Sequence, residues 1–272
     1  MRQSGAVTDV RRLGPHDHVC WGFDDFAEFR SAALAFLEAG LGLGQRVCYV
    51  GEPSDGVYEA LTGARPGAVQ LLSVAAHYAN GLDPREQVEV HAAATKEALA
   101  AGFTGLRVAT DVTPLIRRSA QLDAFARYEH QADHLMATRP FSAMCAYNRT
   151  VLGSDVLTQL SIMHPLTTET APYFRLHASS VPGCAAAISG ELDLSNADLL
   201  DLALRRAEFR PTGGELVLDA ADLTFIDRRR LAALADHARD LGATLVLRTN
   251  RSILHRLTQL LNWDNVRIDP TS

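Results

Sequence analysis

His18-Val19-Cys20-Trp21-Gly22-Phe23, followed by Asp24-Asp25 and then by Phe26, Phe29, Ala33, Phe36 and Leu37, is the stretch that decides the fold. A short apolar run, an acidic turn and apolar residues at three- and four-residue spacing predict strand, turn, helix. The helix stops at Gly40. After Gly42 and Gly44, the β-rich run Arg46-Val47-Cys48-Tyr49-Val50 ends at Gly51-Glu52-Pro53. Strand, helix and strand in this order form a βαβ unit, which implies a mostly parallel sheet with helices on both faces.

Outward from this unit the grammar repeats. A helix is expected from Val88 to Ala101, a strand from Leu106 to Thr110 ending at Asp111, a helix from Leu122 to Ala137 and a strand from Ser142 to Tyr147. Proline and glycine clusters at His164-Pro165, Ala171-Pro172 and Pro182-Gly183 place a boundary near Pro172, giving domains of 14–172 and 173–272. The second half reads as β from Tyr173 to Ser179 and from Ala185 to Ile188, then a helix opening at Ser195 and a strand Leu216 to Leu218 ending at Asp219. A helix from Asp227 to Leu241, a strand from Thr244 to Leu247, a helix from Arg251 to Leu261 and a strand from Val266 to Ile268 complete it. The fold class is α/β in both halves.

Composition narrows the function classes. With 272 residues, 47% hydrophobic and 21% charged, the chain is globular. Net charge is −6, Lys96 is the sole lysine, and no segment is strongly basic, which argues against nucleic acid as the main partner. No apolar run approaches the ~20 residues of a membrane helix. Cys20, Cys48, Cys145 and Cys184 lie far apart behind a start with no signal-peptide pattern, so free thiols in the cytoplasm are expected.

In the second half, Ile188-Ser189-Gly190-Glu191-Leu192-Asp193, Leu216-Val217-Leu218-Asp219 and Leu223-Thr224-Phe225-Ile226-Asp227 occur in that order. Together they resemble the STAS domain of anti-sigma-factor antagonists. In that family the loop after the third strand carries Asp-Ser-Ser-Gly, whose second serine a partner kinase phosphorylates. Here it reads Asp227-Arg228-Arg229-Arg230, so Arg229 stands at the phosphoacceptor position and cannot take a phosphoryl group. The resemblance implies a docking surface at Asp227, Arg228, Arg229 and Arg230. Its partners would be an anti-sigma factor or kinase-like protein, another STAS protein, or a second copy of the chain in a homodimer.

In the first half, residues 18–23, 40–46 and 102–107, Tyr128-Glu129, Cys145-Ala146-Tyr147-Asn148-Arg149 and His164-Pro165 resemble, in order, a MEDS domain. That family is a sensory module named for methanogens, methylotrophs and the dichloromethane-responsive regulator DcmR. The resemblance implies a RecA-like α/β core that perceives a small molecule. An ATPase of that fold needs a glycine-rich loop ending in Gly-Lys-Ser/Thr; the equivalent Gly22-Phe23-Asp24-Asp25-Phe26 has no lysine and two carboxylates, so ATP hydrolysis is not expected. There is also no Gly-x-Ser-x-Gly elbow, and the chain is expected not to be an enzyme.

The default ligand crevice of an open parallel sheet lies at the carboxyl ends of its strands. The candidate ligand-binding residues are His18, Cys20, Trp21, Phe23, Glu52, Asp111, Tyr128, Glu129, Cys145, Tyr147 and His164. No resident cofactor is expected and the small ligand is unnamed. The alternative is a metal or thiol redox sensor using His18, Cys20, Cys145 and His164, whose thiols and imidazoles suit a tetrahedral ion. A third reading is a non-sensing scaffold. His130 and His134, four apart beside Glu129 and Asp133, read as a solvated helix face, and His77-Tyr78 as a candidate pocket wall.

Overall fold

The computed structural model describes residues 2–61, 64–74, 83–116, 118–169, 173–261 and 263–271. The chain divides into two compact units, Met1–Thr170 and Ala171–Ser272. His77 and Tyr78 lie outside the described residues.

The strands of the first unit are β1 (Gly5–Ala6), β2 (His18–Phe23), β3 (Arg46–Val50), β4 (Val69–Leu72), β5 (Leu106–Asp111), β6 (Phe141–Asn148) and β7 (Leu166–Thr167). They lie in the order β1-β7-β2-β6-β5-β3-β4, and every neighbouring pair is parallel. The period of two splits the central strands between layers. Cys20, Cys48, Val50, Val108, Cys145 and Tyr147 pack on one face, whereas Val19, Phe23, Val47, Tyr49, Met144 and Ala146 pack on the other.

Helices α1 (Phe26–Gly42) and α2 (Val57–Ala60) cover the second face, α1 through Phe29, Ala33, Phe36 and Leu37. Asp25 caps α1 by accepting from the Glu28 amide at 2.9 Å. Helices α3 (Pro84–Ala100), α4 (Ser119–Thr138), α5 (Arg149–Leu152) and α6 (Ser154–Ser161) serve the first face, with Ala98, Phe125, Ala132, Met136, Leu157 and Leu160 in its core. The layering expected from the βαβ grammar is therefore present.

A polar feature that the sequence did not disclose sits under α1. Arg107, on β5, is fully buried. Its guanidinium donates to Gln45 Oε1 at 2.8 Å and to the carbonyls of Phe36 at 3.1 Å and Leu13 at 2.7 Å, and it lies over the Phe36 ring. Burial lowers its pKa to about 10, and the coulombic pull of Asp17 opposes that shift.

The second unit holds β8 (Phe174–His177), β9 (Ala186–Leu192), β10 (Glu215–Asp219), β11 (Leu223–Ile226), β12 (Thr244–Arg248) and β13 (Val266–Asp269). Order β11-β9-β10-β12-β13 is parallel, and β8 runs antiparallel along β9, so this second sheet is mixed. Its helices are α7 (Ala197–Ala207), α8 (Arg228–Asp240) and α9 (Ser252–Leu261). Gly190 has φ +87°, and a Cβ there would strike the backbone carbonyl of Tyr173 at the start of the antiparallel pair. A glycine opens the Gly190-Glu191-Leu192-Asp193 motif for that reason.

Strands β1, β4, β7 and β11 were not anticipated as strands. β1 and β7 have two residues each, too few for a period of two to register, and β4 and β11 have four. Among the described residues, no helix is long and apolar enough to cross a membrane.

Candidate functional site

The first face of the sheet carries a polar cluster where the pattern alone would place only core. Strands β2 and β6 are parallel neighbours with Cys20 opposite Cys145, so His18, Cys20, Cys145 and Tyr147 project to the same side. Helix α4 crosses that side, and the four-residue step from Glu129 to Asp133 aims both carboxylates at the sheet. His164 enters from the turn between α6 and β7. Each of His18, Glu129, Asp133 and His164 is fully buried.

Glu129 is the hub. Its Oε2 lies 2.8 Å from His18 Nε2 and 3.4 Å from His164 Nε2, and it accepts from Cys145 Sγ at 3.4 Å. Its Oε1 accepts from the Tyr147 hydroxyl at 3.1 Å. On the other side of the ring, His18 Nδ1 lies 3.0 Å from Asp133 Oδ1, and the Arg2 guanidinium grips both oxygens of Asp133. The chain order Glu129, His18, Asp133, Arg2 alternates acid and base, which is how a buried ionic network neutralises itself.

The titration shifts follow from this geometry. For His18, burial alone would disfavour the charged ring, but hydrogen bonds to Asp133 and Glu129 outweigh it and raise the pKa. Both nitrogens face carboxylate oxygens, an arrangement that favours the imidazolium. Burial pushes Glu129 and Asp133 upward too. It is overcome by His164 and His18 for Glu129, and by Arg2 and His18 for Asp133, leaving both carboxyls below their ordinary range. Burial and the adjacent Glu129 raise the Cys145 thiol and the Tyr147 phenol well above theirs; burial likewise raises Cys20. In the network as it stands the two cysteines are thiols.

A family model described as the MEthanogen/methylotroph, DcmR Sensory domain (MEDS) matches residues 17–165, more than half of the chain, and so spans every member of the cluster except Arg2. The chain belongs to the MEDS family. No curated protein matches it.

Within the MEDS domain the candidate residues separate into distinct places. Trp21 and Phe23 point away from the cluster, into the α1 layer, where Phe23 stacks on Phe29 at 5.2 Å. Alternation along β2 forces this, since residues 21 and 23 cannot share a face with 18 and 20. Tyr128 turns into the apolar core between Phe125 and His91. Glu52 and Asp111 sit at the carboxyl ends of β3 and β5. Glu52 opens a short turn closed by Asp55, and Asp111 accepts from the Thr113 amide at 2.9 Å. At the carboxyl end of β6, Arg149 pairs with Glu169 at 2.9 Å and Asp24 at 3.4 Å.

His130 and Asp133 are buried with Glu129, which overturns the expectation of a solvated acidic and histidine face on α4. The helix packs against both the sheet and α3, so a stripe wider than its apolar residues leaves solvent. Arg2 and Arg107 escaped sequence reasoning altogether. Neither belongs to a spacing pattern, and both act through long side chains that meet partners over 90 residues away. Asp133 carried a weak signal, its i,i+4 relation to Glu129.

In the second unit Asp227 caps α8, accepting from the Arg230 amide at 2.7 Å. Arg228 and Arg229 are exposed in the first turn, beside Phe225, which is 47% exposed.

Proposed function

We propose that this protein is a cytoplasmic signalling protein whose MEDS domain senses a small ligand and whose second unit passes the signal on by protein contact. A sensory role follows from the family. The finer reading is carried by one observation: polar side chains from β2, β6, α4 and the turn before β7 converge on one buried point. An effector that binds there and prefers one packing of these four elements shifts the balance between arrangements by its differential affinity. In this reading the cluster residues serve binding.

For the output, the STAS-like landmarks of residues 188–193, 216–219 and 223–227 support a docking role for the second unit. The exposed Arg228 and Arg229, next to Phe225, suit an acidic partner such as an anti-sigma factor, a kinase-like protein or another STAS protein. With Arg229 in place of a phosphoacceptor, that surface is held permanently in its unphosphorylated state. Four free cysteines suit a reducing compartment.

Native against denaturing mass spectrometry of the full chain, purified without chelator, tests the sensory reading. An adduct lost on denaturation is the expected result. A bare chain mass that shifts with no added metal ion or small organic compound overturns ligand sensing in favour of a scaffold.

A further inference from the structure

We infer that His18, Glu129, Cys145 and His164 form a binding site for a divalent transition-metal ion of the zinc or cobalt class. The site deepens the sensory reading by naming its ligand class, and rests on that reading for its consequence.

Four donor atoms of the right chemistry already surround one point. They are two imidazole nitrogens, one carboxylate oxygen and one sulfur, and all lie within 4.8 Å of one another. A tetrahedral ion with bonds of about 2.0–2.3 Å sets its ligand atoms about 3.3–3.8 Å apart. The separations here are 3.4 Å for Glu129 Oε2 to His164 Nε2, 3.4 Å for Glu129 Oε2 to Cys145 Sγ, 3.6 Å for Cys145 Sγ to His18 Nε2 and 2.8 Å for His18 Nε2 to Glu129 Oε2. Of these four, only the last must open, by about half an ångström, and the two remaining separations, from His164 Nε2 to His18 Nε2 and to Cys145 Sγ, are within 4.8 Å.

The second shell is also in place. His18 Nδ1 is held by Asp133 and His164 Nδ1 donates to the Leu160 carbonyl at 2.8 Å, so both rings present Nε2 inward. Metal-ligating histidines are oriented by such carboxylate and carbonyl partners. His164 Nε2 is moreover fully buried, and its 3.4 Å approach to Glu129 Oε2 is not a well-aligned hydrogen bond. A buried ring nitrogen without a well-formed hydrogen bond is costly in a finished network and ordinary in a ligand set.

Charge balances on both sides of the exchange. As the dication enters, Cys145 loses its thiol proton and His18 the proton it shares with Glu129. Two positive charges arrive as two leave, and no oxidant or reductant is needed. Four protein ligands leave no open position, the arrangement of a structural or sensing site and not of a catalytic one. The mixed nitrogen, sulfur and oxygen set disfavours magnesium and calcium.

The test is Co²⁺ titration of the full chain followed by absorption. One equivalent giving tetrahedral ligand-field bands and a thiolate charge-transfer band in the near ultraviolet is expected. Cys145→Ser should abolish the charge-transfer band, His164→Gln should weaken binding at least about a hundredfold, and Cys184→Ser should change neither. Should the first two variants fail to fold, the ¹¹³Cd chemical shift of the unmutated chain decides, because one thiolate ligand moves it far from an all-oxygen or nitrogen-only position. Absence of binding, or binding with no sulfur signature, overturns the site. If the site fails while an organic adduct survives native mass spectrometry, the sensory reading stands. If the ion binds as expected but leaves hydrogen exchange across Ala171–Ser272 unchanged, the site stands and the sensory reading falls.

Discussion

Asp133→Asn isolates what the Arg2 latch contributes. Asp133 is fully buried and faces the Arg2 guanidinium, whose side chain is 5% exposed. Asparagine keeps the volume and can still accept from His18 Nδ1, but removes the charge. If Arg2 stayed in place, an uncompensated buried cation would cost about 3–5 kcal/mol. Arg2 has an escape, because the strand that follows it, β1, is a two-residue strand at the edge of the sheet. Releasing residues 2–7 gives up the amide bonds of Gly5 to Pro165 and Val7 to Thr167, both 2.9 Å, the Gln3 amide bond to Asp17 Oδ1 at 3.3 Å, and the Arg2 Nε bond to the His16 carbonyl.

Those bonds are worth about 0.5–1.5 kcal/mol each, and the freedom the released backbone regains offsets part of that loss. Release is therefore cheaper than retention. The expected result is a global loss of no more than about 3 kcal/mol, with the Gly5 and Val7 amides exchanging roughly a hundredfold faster, equivalent to about 3 kcal/mol of local protection. Urea unfolding and amide exchange by NMR measure the two quantities. A global loss above about 4 kcal/mol with Gly5 and Val7 still protected refutes the latch.

Arg107→Leu should cost about 3–5 kcal/mol in urea unfolding, since it strands Gln45 Oε1 and the carbonyls of Phe36 and Leu13 in the core; a loss under 1 kcal/mol would show that those acceptors find water. Glu129 and Asp133 are depressed in the folded state, so their stabilisation is present above the unfolded carboxyl range near pH 4 and is lost as pH falls through their folded values. Stability against pH should accordingly fall more shallowly below pH 4 in Glu129→Gln than in the parent chain. His18 is raised, so its contribution is complete below about pH 6.5 and disappears as pH climbs through its folded value; ring-proton NMR should find it titrating above that point. Gly190→Ala combines a left-handed φ with a backbone collision and should destabilise the second unit by about 2–3 kcal/mol, read as a lowered unfolding midpoint.

How much of this was legible varies by residue. Strand β2, helix α1 and strand β3 could be read directly, because apolar period, acidic cap and glycine stop all lie within 33 consecutive residues of 18–50. His18 shares a face with Cys20, and Cys145 with Tyr147, as the period of two implies, whereas Trp21 and Phe23, which stood beside them in the candidate set, face the other layer. Glu129 stood in the candidate set beside Tyr128, but only the rotation of about 100° per helical residue sends one into the polar cluster and the other into the apolar core. Cys20, a candidate ligand by composition, is buried beside Cys145 while Glu129 takes the fourth place in the donor set.

The sequence by itself determined the α/β class, the parallel pairing of the first sheet and the MEDS resemblance of the first half, because these depend on short-range periodicity, local stops and short motifs. Tertiary structure alone decided the cluster. His18, Glu129, Cys145 and His164 span 147 positions with no common spacing, and they meet only because β2 and β6 are neighbours and α4 crosses the sheet. A buried ionic network depends on which faces oppose one another, and that is a property of packing to which no local pattern points.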